Sequence, residues 1–406
     1  MDGPTGIALE EPPDSGAPVM RWSARTHSLA GIETELARIW ASTQLTTPGE
    51  DGEPERHVAA RTSVLNLVVI ARQPELGERA GSIIRMLTGR HPSRTLIVSS
   101  ADPDGPSWLD ANVQALCVMP RAGAAETCAE FIDLVAGGEA GRHVAAIVAP
   151  LLIHDLPVTM WWPGDPPLAS GQVLELLEMA DRLVVDGAHW SGTGLDRLRE
   201  LAGIVGDHDP AVEGLAVSDF AMLRQSRWRE AIASSFDRPE LRPFLRSIRS
   251  MTVRYAVPTD AAPNTTNVIK PLYHVAWLAS RLGMHVVEPL AAGPDGELRG
   301  ALRVGRRRVA VGIVPEVSVT PPGTTLAVSL AADRRGGNLA VTVTAEAEAV
   351  IVRTNLDGKA LPVRRFMAPR RTEVELLAET IESVGKDPVA AAALLAAARL
   401  AGPSVA

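Results

Sequence analysis

The chain has 406 residues, 46% of them apolar, with a net charge of −8 and a pI near 5.7; this is the profile of a soluble globular protein of two or three domains and excludes a general nucleic-acid binder. Its most apolar run, Val144 to Ile153, is about half of the ~20 residues that span a bilayer, and the acidic, Pro/Gly-rich amino terminus is unlike a signal peptide. Two cysteines, Cys117 and Cys128, make no disulfide framework or zinc cluster and fit a reducing compartment, so a cytoplasmic protein bound to no membrane and no nucleic acid is expected.

In chain order, residues 1–25 read as a flexible tail, followed by an amphipathic helix capped by Ser28 with Leu29, Ile32, Leu36, Ile39 and Trp40 at helical spacing. Residues 42–57, polar with Pro48, Gly49, Gly52 and Pro54, read as a linker. Strands and helices then alternate. Val64 to Ile70, Thr95 to Ser99, Val113 to Met119, Leu156 to Trp162 and Arg182 to Asp186 read as strands. Helices are expected from Pro74 to Gly89, through Phe131, Leu134 and Val135, at 142–153, and at Gln172 to Ala180 and Leu195 to Val205. This spacing predicts an α/β fold, a mostly parallel sheet with helices on both faces.

Residues 218–283 read as mainly helical, with one helix over Ser218 to Phe236 and a buried one between Asn267 and Gly283. Five short strands with close turns follow between Arg299 and Arg353, and two Ala/Leu/Glu-rich helices close the chain at 371–384 and 388–401. The expected domains are a tail with one helix (1–57), an α/β domain (58–215) and a smaller antiparallel α+β domain (216–406).

The stretch APLLIHDLPVTMWWPG, residues 149–164, organises the first half. Val158 and Thr159 favour a strand, and Pro157 suits its start. Side chains alternate across a strand, so Trp161 and Trp162 must lie on opposite faces.

Ligands of parallel sheets bind beyond the strand carboxyl ends. No G-x-G-x-x-G or Walker loop stands there. Only Gly192-Thr193-Gly194 offers a candidate phosphate loop, which also reads as a plain connection. Asp102, Asp104, Asp165 and Asp186 are candidate Mg²⁺ ligands if they gather, and turn formers or helix caps if they do not. Arg90, His91 and Arg94 precede their strand; they bind an acidic partner, or Arg94 pairs with a carboxylate such as Asp155. His154-Asp155 has no G-x-S-x-G nucleophile to serve and reads as a helix exit. Cys117 and Cys128 read as a redox pair or, more simply, as buried structural thiols. Arg224 and Arg227 fall inside the apolar arc of the helix expected over 218–236, and a charge there needs a partner, in this chain or in another. With Trp228 and Arg229, Arg224 has the composition of an interface hot spot.

Six stretches together resemble one family: IETELARIW (32–40), HPSRTLIV (91–98), LLIHDLPVTMWWPG (151–164), ADRLVVDGA (180–188), RWREAIASSFDRP (227–239) and AWLASRLG (276–283). The chain resembles the OpcA family of glucose-6-phosphate dehydrogenase assembly proteins. Met222 and Met284 stand where the family often has Trp, Gly187 where it has Ser, and Arg227 where it has Pro. The resemblance implies a non-catalytic protein without a cofactor that binds glucose-6-phosphate dehydrogenase and promotes its active oligomer. Arg94, Asp155, Trp161, Trp162, Arg224, Trp228 and Arg229 are the expected partner-binding residues. The competing expectation is an enzyme or sensor that binds a sugar phosphate or nucleotide at the rim near Asp186 and Gly192 to Gly194.

Overall fold

A computed structural model describes residues 19–42, 44–48, 54–58, 63–102, 104–118, 127–206, 214–262 and 264–403. The chain forms two compact units, one from Met1–Gly164, Ala169–Val184 and Glu373–Ser383, the other from Asp165–Leu168, Val185–Thr372 and Val384–Ala406.

The first unit contains β1 (Val19–Thr26), α1 (Leu29–Ser42), a hairpin of β2 (Gln44–Pro48) and β3 (Pro54–Val58), then β4 (Leu65–Ala71), α2 (Pro74–Arg85), β5 (Ser93–Ala101), β6 (Trp108–Val118) and β7 (Thr127–Gly137). It continues through α3 (Gly138–Arg142), α4 (Val144–Val148), β8 (Val158–Trp162), α5 (Gly171–Leu177) and β9 (Arg182–Val185). Its sheet runs β1-β6-β7-β5-β4-β8-β9. β4 is parallel to β5 and β8, and β5 to β7, whereas β6 lies antiparallel to β1 and β7. Every residue of β4 and β8 is buried, as befits strands covered on both faces and written as unbroken apolar runs.

Five expectations for this unit are corrected. The tail contains a strand, β1, paired along its whole length with β6, and the expected linker contains the β2–β3 hairpin. The helix expected through Phe131, Leu134 and Val135 is β7. An apolar run buried on both faces of a sheet also supplies residues at helical spacing, and Thr127, Phe131, Ile132 and Val135 are strand formers. The antiparallel register sets Cys117 opposite Cys128, and the two form a disulfide, so they are not the buried free thiols expected. The helix expected over 142–153 is broken into α3, α4 and a 3-10 turn at Ala149–Leu151.

In the second unit come α6 (Leu195–Gly206), β10 (Ala216–Asp219), α7 (Phe220–Leu223), α8 (Ser226–Ser234), β11 (Ile248–Val257) and α9 (Ile269–Arg281). Then follow β12 (His285–Ala292), β13 (Leu298–Val304), β14 (Arg307–Val317), β15 (Thr325–Arg334), β16 (Gly337–Glu346), β17 (Ala349–Leu356), β18 (Lys359–Ala360) and β19 (Arg364–Met367). Helix α10 (Glu373–Glu382) belongs to the first unit and α11 (Pro388–Ala401) to the second. The nine-stranded sheet runs β12-β13-β14-β11-β15-β16-β17-β18, with β19 on β17. Its pairings are antiparallel except for β11 beside β14.

β11 is a further correction, since its residues were read within a helical region. Its alternation of Met251, Val253 and Tyr255 inward with Ser250, Thr252 and Arg254 outward is a period of two. The single helix expected over 218–236 is divided into β10, α7 and α8, because Asp219 caps α7 through the Ala221 amide and the helix breaks at Arg224-Gln225. Helix α9 is buried around most of its circumference, as expected, between the sheet and α11. The opposite face of the sheet carries Gly312, Thr252, Ser329 and Thr342 in one cross-strand row and Ala310, Ser250, Ala331 and Ala340 in the next. These small residues are exposed or half-exposed.

Candidate functional site

Three of the four expected contact residues of the first unit, Arg94, Trp161 and Trp162, lie in its interior. Arg94 is 3% exposed. Its Nε donates to Glu130 Oε2 at 2.6 Å, and one Nη to Glu33 Oε1 at 2.7 Å and to the Leu151 carbonyl at 2.8 Å. Trp40 Nε1 donates to the other oxygen of the fully buried Glu130 at 2.7 Å. Arg94 therefore pairs inside the fold, with Glu130 and Glu33 rather than with Asp155. Arg90 and His91 reach Glu382 of α10 at 2.5 and 3.1 Å. Trp161 and Trp162 are both buried, so neither lies at an exposed edge. Asp155 is exposed, at a left-handed φ of 66° that suits a turn former. The loop around it is held by Asn66 of β4, whose side chain accepts from the Ile153 amide and donates to the Ile153 and Leu156 carbonyls. The signal for Asn66 was one polar residue in an otherwise apolar strand.

The second unit gathers its polar residues where the chain leaves β9. Asp186, 3% exposed, accepts from Arg224 at 2.7 Å and from the Ala188 amide at 3.2 Å, and meets His189 Nδ1 at 2.9 Å. Asp219, 7% exposed, accepts from the amides of Gly187 and Ala221 at 2.9 and 2.8 Å and from the Tyr273 hydroxyl at 2.7 Å. Asn267 donates to the Gly187 and Trp190 carbonyls and accepts from the Ile269 amide. Loop 187–194 is thereby fastened to the start of α9. Gly194, at φ 78°, abuts Ile269 and Asn267 so closely that a Cβ would collide with both.

The two carboxyls are driven in opposite directions. Burial raises Asp186, but hydrogen bonds from His189 and Arg224 outweigh it and hold the group at about 2. Burial, then the charge of Asp186, pushes Asp219 up to about 6 against its hydrogen bonds. On α9, burial and the Arg224 charge lower Lys270 to about 8. Burial, then Arg229 and Lys270, holds the fully buried His274 at about 3, neutral beside the Trp228 ring at 5.3 Å. Arg229 donates to the Met222 carbonyl. The structure thus brings Asp186 and Arg224 together and sets Trp228 against the core histidine of α9. Asp219 and Tyr273 escaped the sequence reading, and Asn267 was read only as a helix cap, because nothing local marks residues that converge from separate elements.

The rim meets its own needs. In loop 187–194 the Gly187, Ala188, Ser191 and Gly194 amides donate to Asp219, Asp186, Asp165 and the Ser191 carbonyl. Within the expected phosphate loop, Gly192 to Gly194, the Gly194 amide is taken by the Ser191 carbonyl. Asp165 and Asp186 act as such acceptors, while the Asp102 carbonyl closes turns onto Gly105 and Gly138. No helix among the described residues is long and apolar enough to cross a membrane.

Two family models account for most of the chain. The glucose-6-phosphate dehydrogenase subunit N-terminal domain of the OpcA family matches residues 66–202, and the C-terminal domain of that subunit matches residues 215–394. The chain belongs to the OpcA family of glucose-6-phosphate dehydrogenase assembly proteins. A curated relative, "Putative OxPP cycle protein OpcA" of Synechococcus elongatus, is 23% identical over 223 residues, which are 54% of this chain and 46% of that protein. The chain thus matches about half the length of that relative. Among solved structures, a Gfo/Idh/MocA family oxidoreductase from Vibrio cholerae covers 83% of this chain and 95% of its own at 11% identity and a TM-score of 0.39. An oxidoreductase from Sinorhizobium meliloti covers 84% and 98% at 11% identity and a TM-score of 0.43. Likeness at that level does not extend to activity.

Proposed function

We propose that this chain is a non-catalytic partner of glucose-6-phosphate dehydrogenase, and that it binds the enzyme and favours its active oligomer. The observation that carries the reading is the match of residues 66–202 and 215–394, in order, to the two domains of a family of dehydrogenase assembly proteins. A partner raises activity only by binding the active state better than the inactive one. The candidate site agrees, since its carboxylates, hydroxyl and amides are engaged with one another and act on the position of α9.

The contact surface we assign is the open face of the nine-stranded sheet. Solvated sheet faces ordinarily carry long polar side chains. The rows through Thr252 and Ser250 carry Gly, Ala, Ser and Thr across β14, β11, β15 and β16, with the long side chains Arg299 and Arg353 at the two ends of the Thr252 row, so a second layer can approach closely between them. The segment Arg224, Trp228 and Arg229 is the alternative, because Trp228 and Arg229 are only half-buried. Asp155 is the one exposed candidate of the first unit; the other three stabilise that unit.

The test mixes purified dehydrogenase with this chain and measures sugar-phosphate KM, kcat and oligomer mass by light scattering. A larger oligomer with lower KM or higher kcat is expected. Unchanged kinetics together with an unchanged mass would remove the proposal.

A further inference from the structure

A cleft of about 840 Å³ opens in the second unit, between the end of α8, the 3-10 segment Arg242–Ser247, the last turn of α9 and the end of β13. Its size falls in the range of small-molecule sites. Phe236 and Val304 give it an apolar part, and Arg242, Arg246 and Arg281 line it with positive charge. All three arginines are exposed. Among the described residues none of their guanidinium groups has a hydrogen bond or ion pair. Many other arginines of the chain, in which acidic residues outnumber basic ones 48 to 40, are paired. Arg79, Arg85, Arg90, Arg94, Arg197, Arg224 and Arg308, for instance, each sit on a carboxylate. Arg307 adds a fourth charge at the rim by donating to the Arg246 carbonyl at 2.6 Å.

Like charges gathered without a counter-ion cost free energy that an anion recovers, and the planar guanidinium fork matches phosphate oxygens in pairs. One acidic side chain, Asp237, also lines the cleft. A carboxylate there repels a second anionic group on the ligand but accepts hydrogen bonds from hydroxyls. The combination selects one phosphate on a body that carries hydroxyl groups.

We propose that this cleft binds a monophosphorylated polyol such as a sugar phosphate, with the phosphate on Arg242, Arg246 and Arg281 and the hydroxyls toward Asp237. The inference is independent of the dehydrogenase contact, because it concerns the isolated chain.

Isothermal titration of the purified chain at fixed ionic strength tests it with four probes: glucose 6-phosphate, glucose, inorganic phosphate and citrate. Glucose 6-phosphate binds most tightly, inorganic phosphate more weakly, and glucose and citrate least. Arg242→Ala and Arg281→Ala each weaken the sugar phosphate roughly ten- to a hundredfold, as expected for the loss of charge-assisted bonds. Both leave the melting temperature of the free chain unchanged, because the side chains are exposed. Asp237→Asn weakens glucose 6-phosphate while leaving inorganic phosphate as tight or tighter. Citrate binding as well as the sugar phosphate, or a sugar-phosphate affinity untouched by both arginine variants, would overturn the assignment. So would capture of a poly-glutamate peptide in the same cleft with no response to any phosphate, since the arginines would then serve an acidic protein segment.

Discussion

The two sheets are written and finished differently. In the first unit, strands β4 and β8 are buried at every position, and the conspicuous polar side chains, Arg94, Glu130 and Asn66, are turned inward and bonded there. In the second unit β14 and β16 alternate between buried and exposed positions, so one face is spent on α9 and the other is left to solvent. A sheet closed on both faces has little to offer a partner. A sheet closed on one face still holds an ordered surface. Exposure therefore separates the two sheets more sharply than conspicuous residues such as the paired tryptophans, both of which are buried.

The largest effect should come from opening the closed unit. Arg94→Ala leaves Glu130 buried without the guanidinium that neutralises it, and losing one member of a buried pair costs about 3–5 kcal/mol. Urea unfolding should show the midpoint falling accordingly. A midpoint within experimental error of wild type would mean that the cluster is not the closed, water-free network described.

The open face should respond in the opposite way. Thr252→Arg with Ser329→Arg sets two long charges at adjacent positions of the exposed row. Surface substitutions of this kind change stability by about 0.5 kcal/mol or less. Dehydrogenase binding should fall by roughly a hundredfold, near 2.7 kcal/mol, as at an interface hot spot. Full activation by this variant would eliminate the sheet face as the contact. Trp228→Ala then separates the alternative segment. Its ring is half-buried against His274, so a loss of about 2 kcal/mol in stability with unchanged activation is expected, less than for a fully buried Trp. A normal melt with lost activation would transfer the contact to α8.

Much of the first unit was legible because continuous apolar runs such as VLNLVVI and VTMWW admit few other readings. β7 was not, because a strand buried on both faces and a buried helix share the same apolar residues; its sheet partners decide the matter. β11 carried a period of two, but lay inside a stretch whose other segments are helical. Of the site, Asp186 and Arg224 were legible one at a time, as a strand-end acid and a charge inside an apolar arc. That they meet each other was not, since 38 residues separate them. Asp219 and Tyr273 are ordinary letters until β10 and α9 are placed side by side. The disulfide had the same difficulty: it follows from the β6–β7 register, which no cysteine spacing reveals.

The smallest effect concerns pH and compares the two carboxyls of the second unit. Asp219 has its folded value raised to about 6 from 3.8. Its native state therefore holds a proton more tightly than the unfolded chain. That contribution is complete below about pH 4 and is lost as pH rises through 6. Asp186 is the reverse case: lowered to about 2, it contributes above about pH 4 and is lost only as pH falls toward 2. Between pH 4 and 7 only Asp219 of the pair changes its charge. Asp219→Asn imitates the protonated group and removes that titration. Relative to this variant, wild type should gain on the order of 1–2 kcal/mol when the pH falls from 7 to 5, a discounted figure for a shift of about two units. Urea midpoints of both proteins at pH 7, 6 and 5 provide the measurement, and histidine titrations common to both cancel in the difference. A difference that stays constant, or grows toward high pH, would mean that Asp219 is ionised throughout and that Tyr273 and the two amides outweigh its burial.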